Sequence, residues 1–178
     1  EGNASKLYFQ ALGMLVPEDF KFSGRSRRPP KDPFNSLLSF GYTLLLYEIY
    51  TCISNKGLHP YIAFMHQPRR GHPALASDLI EEWRPTIVDS LVMNVVSKNI
   101  IKREDFQEPA ENGGVYLNRE ASKVFIKQFE TRIRSANSYL SFVDYPLSFR
   151  ESLQFQVGSL VKAIEEDDPS IYRPVLIK

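Results

Sequence analysis

The sequence predicts a mostly α-helical protein in which several helices form one domain, with at most one short β-hairpin. Apolar residues recur every three or four positions in several stretches, as they do along the buried face of a helix. Residue types that begin helices precede several of these stretches, and segments rich in proline and glycine separate them. With 178 residues, 43% of them apolar, the chain is long enough to enclose a hydrophobic core. We therefore predict a single domain over residues 1–178.

The first part of the chain predicts two helices with a basic loop between them. Apolar residues at helical spacing indicate a short helix over residues 3–16. The segment Lys21–Lys31, KFSGRSRRPPK, has no apolar period and contains two prolines, so it is a loop. Asp32 followed by Pro33 starts a long helix, because Asp caps free amides and proline lacks the amide that a first helical position leaves unbonded. We expect that helix to end at about Asn55.

A second long helix is expected after an irregular segment, GLHPYIAFMHQPRRGHP, that contains three prolines and two glycines. It carries one apolar stripe with members four residues apart, namely Leu75, Leu79, Trp83, Ile87, Leu91 and Val95. Pro85 lies inside this helix and removes one backbone donor. We therefore expect a kink near residues 81–85.

The last part of the chain predicts two more helices. Residues 104–118 are rich in turn formers, and 115–117 is the only short extended candidate. Asn118 is a suitable cap for a helix that continues to about Ser138. Ser148 followed by Glu151 matches a capping box, which predicts a final helix to about Glu165.

Composition excludes several classes of function. The formal net charge is only +1, so any binding to nucleic acid must depend on a local patch. The apolar stretch 37–53 is interrupted by Glu48 and is short for a membrane span, so we expect a core helix and no membrane partner. The single cysteine, Cys52, cannot form an internal disulfide and favours a reducing, cytoplasmic setting. Its apolar surroundings should raise the thiol pKa, which disfavours a thiolate nucleophile.

An imidazole and several carboxylates are candidates for a metal site. Asp78 and Glu81 are three residues apart on the predicted helix and share a face, whereas Glu82 points about 100° further round. His66 lies in the irregular segment before that helix. One imidazole with two or three carboxylates suits Mg²⁺ or Mn²⁺ better than a closed zinc site.

Spacing alone leaves another interpretation open. Paired acids at the edge of a helix are more often ordinary surface charge, and a histidine in a loop more often binds nothing. His59 and His72 stand beside proline or glycine in turns, and we assign them no metal role.

The basic loop is a separate candidate site, for phosphate. Arg25, Arg27, Arg28 and Lys31 lie within seven residues, and the fork of a guanidinium matches phosphate geometry. Four phosphate contacts would give a slope of log K against log salt of about −4. Composition alone is equally compatible with a solvated loop that has no partner.

Three stretches together resemble a known family: GLHPYIAFMHQPRRGHPALASDLIEEWRP, EGNASKLYF and FSGRSRRPPKDPFNSLLSFGYTLL. The first is similar to the signature of the CRISPR-associated endonuclease and integrase, protein one of the spacer-acquisition machinery, in which a histidine precedes D-L-x-E-x-x-R-P. The other two resemble the family's E-G-x-A-x-x-Y-F and R-x-R-x-P-P-x-D-x-x-N-x-L-L-S segments. The order matches, and the resemblance covers essentially the whole chain.

The resemblance implies a metal-dependent enzyme that acts on DNA. The family holds Mg²⁺ or Mn²⁺ on a glutamate, a histidine and a second acid, which fall on Glu1, His66 and Glu81, and these three are also the implied catalytic residues. Asp78 is an auxiliary candidate beside them. A role in binding DNA phosphates is implied for the arginines of the basic segment, which are Arg25, Arg27 and Arg28. The implied reaction is phosphodiester cleavage and strand transfer that integrates spacer DNA into the repeat array.

The resemblance also implies partners. Members of the family begin with a smaller β-rich domain through which they form homodimers, and nothing in this sequence matches that domain. The chain therefore resembles the helical catalytic domain alone. The implied partners are spacer and repeat DNA, a second copy of the chain through the missing domain, and a small ferredoxin-like protein of the acquisition complex.

Two other classes of function compete with the enzyme. A non-catalytic helical DNA-binding module would use the arginines without a metal, and its binding would be insensitive to a chelator. A helical protein-interaction domain would use its apolar stripes only as core and would bind no DNA.

Overall fold

The computed structural model describes residues 2–67, 69–107, 109–140 and 142–175. Helices make up most of it, which confirms the predicted fold class. The α-helices of this part of the chain are α1 (Gly2–Leu15), α2 (Pro33–Asn55), α3 (Ala74–Ile80), α4 (Ser90–Ser97), α5 (Arg119–Ile133) and α6 (Phe149–Glu165). Short 3₁₀ turns lie at Glu18–Phe20, Arg103–Asp105 and Pro169–Ile171.

The helix starts expected from capping residues are confirmed. Helix α2 begins at Pro33, and the carboxylate of Asp32 accepts from the amide of Asn35 at 2.8 Å. The side chain of Asn118 accepts from the amide of Ala121 at 2.8 Å, so α5 begins at the next residue. At α6, the hydroxyl of Ser148 accepts from the amide of Glu151, whose carboxylate accepts in turn from the Ser148 amide at 2.8 Å.

The long helix expected after residue 75 is not one kinked helix but two α-helices separated by a turn and a π-helix. Helix α3 ends at Ile80, residues 81–83 form a turn, Arg84–Asp89 form a π-helix, and α4 follows. Pro85 has no amide to donate to the carbonyl of Glu81, so the regular ladder cannot pass this point. The apolar stripe is nevertheless confirmed, because all six of its members are buried.

The region after α5 differs from the prediction. Helix α5 ends at Ile133 rather than near Ser138, because Ala136 pairs with Ser148 across a two-stranded antiparallel ladder. Its strands are β1 (Ala136–Asn137) and β2 (Leu147–Ser148). The expected extended segment 115–117 contributes only an isolated bridge, between Leu117 and Phe106.

The described chain divides into two compact units. The first consists of Glu1–Tyr42 and Val88–Glu130, with residue 1 outside the described part. Within it the ring of Phe40 stacks on that of Phe125, with centroids 5.4 Å apart. A Cβ at Gly41 would lie 2.6 Å from a methyl of Val88, so only glycine permits this close approach.

The second unit consists of Thr43–Ile87 and Thr131–Lys178. Its core includes Trp83 and Phe149, both fully buried, whose rings meet edge to face at 6.1 Å. The indole of Trp83 donates to the buried amide oxygen of Gln156 at 2.5 Å. The prediction of one domain over residues 1–178 stays a prediction.

Helix α2 is the one helix of the described residues that is long and apolar enough to cross a membrane by length and composition. Core helices of soluble proteins pass the same test. Its apolar side chains at five helically spaced positions are almost completely buried, namely Leu37, Leu38, Leu45, Ile49 and Ile53. We therefore interpret α2 as a core helix.

Candidate active site

One buried carboxylate fixes the backbone of the segment that carries His66. Asp78 lies in α3 and is only 5% exposed. One of its oxygens accepts from the amides of Phe64 and Met65 at 2.8 and 3.0 Å. The other oxygen accepts from the amide of His66 at 2.9 Å. An irregular segment with few backbone bonds of its own is therefore held in one conformation by a side chain on the following helix.

The same carboxylate orients the ring of His66. The Nδ1 atom lies 2.7 Å from an Asp78 oxygen. An ionised carboxylate can only accept, so we assign the ring proton to Nδ1 as its donor. That assignment leaves the lone pair of the neutral ring on Nε2, which forms no hydrogen bond within the described residues. Metal-binding imidazoles usually donate their other ring N–H to a carboxylate or carbonyl, which fixes the tautomer and the orientation of the ring.

The charge state of Asp78 supports this assignment. Burial on its own raises the pKa of this carboxyl, but the hydrogen bonds from the amide of Met65 and from the ring and amide of His66 outweigh burial. The amide of Phe64 adds to them, and the net pKa lies below its usual range. Because each oxygen already accepts two bonds, Asp78 is suited to orient His66 rather than to bind an ion itself.

Glu81 follows directly after α3 and pairs with an arginine. Its Oε1 atom lies 2.5 Å from Nη1 of Arg84, and the two side chains are 32% and 24% exposed. His66 and Glu81 share no direct hydrogen bond in the described part of the chain. Sequence reasoning missed the ion pair between Arg84 and Glu81, although their spacing of three residues was the available signal.

Glu82 turns away from Glu81 and holds the C-terminal segment. Its two oxygens accept from the hydroxyl of Tyr172 at 2.6 Å and from the amide of Val175 at 2.7 Å. Gln156 donates to the same tyrosine hydroxyl at 2.9 Å. Burial, followed by the bond to Glu82 and its charge, raises the pKa of Tyr172. The sequence prediction that Glu82 points to a different side of the helix agrees with this separate set of partners.

The residue types at the candidate site suit the ion that the resemblance implies. An imidazole with Nε2 available and a half-exposed glutamate are both suitable ligands for Mg²⁺ or Mn²⁺. No group of three His, Cys, Asp or Glu residues among those described could hold a metal ion. The third implied ligand, Glu1, lies outside the described residues. Two of the three implied ligands, His66 and Glu81, lie within the described residues, and their side chains are of types that suit this ion.

The two remaining histidines and the cysteine, to which the sequence analysis assigned no catalytic role, have the following surroundings. His72 lies near the site, with its ring centroid 6.3 Å from that of His66, and its Nε2 atom is 3.0 Å from the hydroxyl of Ser77. His59 is exposed and lies against Tyr61, with ring centroids 5.7 Å apart. Burial, then the charge of a nearby glutamate, raises the pKa of the Cys52 thiol, in agreement with the direction expected from its apolar surroundings.

The basic loop contains two kinds of arginine. The guanidinium of Arg25 donates to Asn35 Oδ1 at 2.8 Å and to Ser39 Oγ at 3.0 Å. Arg27 and Arg28 are exposed and form no hydrogen bond or ion pair within the described residues. Arg25 is therefore part of the support of the loop, while the other two present their charge to solvent.

A buried carboxylate in the first unit was missed by sequence reasoning. Asp89 is 3% exposed and accepts from the hydroxyls of Tyr8 and Tyr42, each at 2.5 Å. These bonds connect the end of the π-helix to α1 and α2. Burial, then the charge of Asp89, raises the pKa of Tyr8. The only signal in the sequence was an acid within an otherwise apolar stretch.

Comparison with known proteins places this fold and these residues in a family. The family model described as CRISPR associated protein Cas1 matches residues 1–131. The chain is 42% identical over 170 residues to the CRISPR-associated endonuclease Cas1 of Mycobacterium tuberculosis, covering 96% of this chain and 50% of the relative. It is 39% identical over 178 residues to CRISPR-associated endonuclease Cas1 3 of Thermus thermophilus, covering 100% of this chain and 52% of the relative. The chain thus spans about half the length of the curated relatives it matches.

Solved structures agree over nearly the whole chain. A Cas1 protein from Thermotoga maritima superposes with a TM-score of 0.81 at 28% identity, covering 99% of this chain and 52% of that one. A chain of a Cas6-RT-Cas1–Cas2 complex superposes with a TM-score of 0.86 at 30% identity, covering 99% of this chain and 19% of that one. A casposase bound to integration product, at 22% identity and a TM-score of 0.86, shares the fold. With the family model matching most of its length, the chain belongs to the Cas1 family of CRISPR-associated proteins.

Proposed function

We propose that this chain is the catalytic part of a metal-dependent DNA endonuclease and integrase of CRISPR adaptation. The observation that carries the proposal is the His66 ring, whose Nδ1 atom is bound by buried Asp78 so that Nε2 is left for a ligand. Glu81 and Glu1 complete the proposed ligand set, the latter on the resemblance of its sequence segment. The relatives are named as endonucleases, which supports an endonuclease activity for this chain.

The proposed reaction is an exchange of phosphodiester bonds. The 3′-hydroxyl oxygen of a captured DNA strand attacks the phosphorus at the repeat boundary, and a new phosphorus–oxygen bond forms. The bond from that phosphorus to the repeat's own 3′-oxygen breaks. The attacking hydroxyl loses its proton and the leaving oxygen gains one, and water in place of the hydroxyl gives hydrolysis.

The residues of this chain would position the reaction. Mg²⁺ or Mn²⁺, when bound, would supply charge that stabilises the phosphoryl oxygens. His66 must be neutral to act as a ligand, and Asp78 keeps its ring in the tautomer that the ligand role needs. Arg27 and Arg28 would contact DNA phosphates, with Arg25 supporting their loop.

We also propose the partners that the family resemblance implies. DNA of the spacer precursor and the repeat array would be the substrate. One neighbour in structure is a chain of a complex whose title names both Cas1 and Cas2, which supports a partner protein in the adaptation complex. That this partner is a small ferredoxin-like protein is proposed from the resemblance alone. Dimerisation through the part of the relatives that this chain does not match, and a cytoplasmic location, complete the proposal.

The proposal is tested by Glu81→Ala with Glu165→Ala as the matched control, because Glu165 is an exposed glutamate at the end of α6. We expect Glu81→Ala to reduce Mn²⁺-dependent cleavage of branched DNA by at least about 100-fold, on the scale of losing one charge-stabilising group. The control should retain full activity, and both variants should retain a helical circular dichroism spectrum. Unchanged activity of Glu81→Ala would refute the ligand assignment. If the parent binds DNA but shows no cleavage that a chelator can abolish, the non-catalytic binding module is favoured instead.

A further inference from the structure

We propose that Arg84 is a built-in counter-ion that occupies Glu81 in the absence of metal and is displaced from it when a divalent cation binds. The inference rests on the proposed function, because it assumes that Glu81 is a metal ligand. Two consequences follow for Arg84. The arginine weakens metal binding, and it becomes available to a DNA phosphate once the metal is in place.

The geometry of the pair distinguishes it from ordinary surface pairs. Nη1 of Arg84 lies 2.5 Å from Oε1 of Glu81, with the side chains 24% and 32% exposed. Two other pairs with the same spacing, Lys21 with Glu18 and Lys123 with Glu120, leave between 54% and 81% of each side chain exposed. Attraction between the partners is screened less where water is partly excluded. The Arg84 pair is thus the stronger one.

The neighbouring acid does not share this role. Both oxygens of Glu82 accept hydrogen bonds from the C-terminal segment, at Tyr172 and at Val175. Two consecutive glutamates therefore have different assignments: Glu82 is committed to a structural contact, and Glu81 is neutralised by a cation that can be exchanged.

Exchange follows from the charges. A guanidinium and a divalent cation both seek the oxygens of Glu81, and two positive groups a few ångströms apart repel each other. Metal binding must therefore break the pair or hold the ion beside an unfavourable charge. In either case Arg84 lowers the affinity for metal, and it keeps Glu81 oriented while no metal is bound.

The displaced guanidinium gains a new partner of the right chemistry. Arg84 stands at the first residue of the π-helix, one turn from Glu81, so its reach includes the surroundings of the bound ion. A phosphate that approaches that ion has oxygens that match the fork of an arginine. Removal of Arg84 should therefore have opposite effects on metal binding and on catalysis.

The test measures both properties in Arg84→Gln, Arg84→Lys and the exposed control Arg119→Gln. Mn²⁺ affinity is measured by the electron paramagnetic resonance of free Mn²⁺ in the absence of DNA. We expect Arg84→Gln to bind Mn²⁺ about 3- to 10-fold more tightly, the scale of a partly exposed ion pair, and to cleave DNA at least about 10-fold more slowly. Arg84→Lys, which keeps the charge, should lie between it and the parent in both properties, and Arg119→Gln should match the parent.

The outcomes separate this inference from the proposed function. If Glu81→Ala loses Mn²⁺ while Arg84→Gln binds it equally or more weakly, the ligand assignment stands and the counter-ion role is wrong. If the parent binds no Mn²⁺ that depends on Glu81, the proposed function fails and the inference fails with it. If Arg84→Gln loses structure, visible by circular dichroism, Arg84→Met becomes the deciding variant, because it also removes the charge: Mn²⁺ binding no tighter than the parent's overturns the inference.

Discussion

Asp78 controls the conformation of residues up to 14 positions before it, and its bonds are all to one short segment. The segment lies in a part of the sequence rich in proline and glycine, from which no regular structure could be predicted. Position and residue type were enough to name His66 and Asp78 as candidates. The four hydrogen bonds from residues 64–66 to Asp78 could not be predicted, because they depend on how the chain folds back onto α3.

Asp78→Asn should destabilise the protein by about 1–3 kcal/mol at pH 7, because its amide group would face backbone donors that then lack an acceptor. The folded pKa of this carboxyl is lowered, so its contribution to stability is present above the pKa of the unfolded chain and is lost as the pH falls through the folded value. The difference between parent and variant should therefore shrink as the pH falls below about 4.

Urea unfolding followed by circular dichroism between pH 7 and pH 3 measures that difference. Asp144→Asn is the control, since Asp144 is exposed. An equal difference at both ends of the pH range would contradict the assignment of a lowered pKa.

Substitution by alanine should affect DNA binding at Arg27 and Arg28 but protein stability at Arg25. Arg27→Ala with Arg28→Ala should weaken binding to a DNA duplex and make the slope of log K against log salt less steep by about 1.8, or about 0.9 for each lost contact. Arg25→Ala should instead lower the free energy of unfolding by about 1–3 kcal/mol, because it leaves Asn35 and Ser39 without their charged donor.

Fluorescence anisotropy at several salt concentrations gives the slopes, and Arg119→Ala serves as the exposed control. If the double variant keeps the parental slope, the loop is not the DNA contact. The sequence grouped the three arginines because it shows only their spacing, whereas the fate of each guanidinium depends on the neighbours in α2.

At the scale of elements, the interrupted helix between residues 74 and 97 organises the candidate site. Its turn carries Glu81 and Glu82, and Arg84 begins the π-helix. The carbonyl of Thr86 within that π-helix accepts from Arg132 of α5 at 2.6 Å. Pro85 predicted an irregularity at this place, but its extent depends on packing partners that come from α5 and α6.

The C-terminal segment should be held by the hydroxyl of Tyr172. Tyr172→Phe removes a donor to the charged Glu82 and an acceptor for Gln156, so we expect a loss of about 1–3 kcal/mol in the free energy of unfolding. The raised pKa of Tyr172 means that its contribution is present below the pKa of an unfolded tyrosine, about 10, and is lost as the pH rises toward the folded value.

Limited proteolysis provides the measurement, with Tyr145→Phe as the control because Tyr145 is 56% exposed. Faster cleavage after residue 165 is expected in Tyr172→Phe only. Identical cleavage in parent and variant would show that the bond to Glu82 does not hold the segment.

At the scale of the whole molecule, the fold class and the helix starts followed from the sequence because they depend on local chemistry. Caps at Asp32, Asn118 and Ser148 act within one turn of helix, and each of them forms as expected. The end of α5 was placed five residues too late, because strand pairing with Ser148 overrides a continuing helical pattern. Glu1, the third candidate ligand, was proposed from resemblance and stays a prediction.

Unfolding should test whether the two compact units behave as one domain. We expect a single transition, because α2 and α5 each contribute residues to both units. The only tryptophan, Trp83, is buried in the second unit, so its fluorescence reports that unit, whereas far-ultraviolet circular dichroism reports helices of both. Separate midpoints for the two signals in urea would contradict the prediction of one domain.

The bonds between Asp78 and the segment at residues 64–66 also affect the thermodynamics of ligand binding. The conformational entropy of that segment is lost when the chain folds, before any ligand arrives. A ligand at Nε2 of His66 therefore meets a group that needs no further ordering, and its affinity is not reduced by an entropy loss at binding. Calorimetry of metal binding should accordingly show a smaller unfavourable entropy in the parent than in Asp78→Asn.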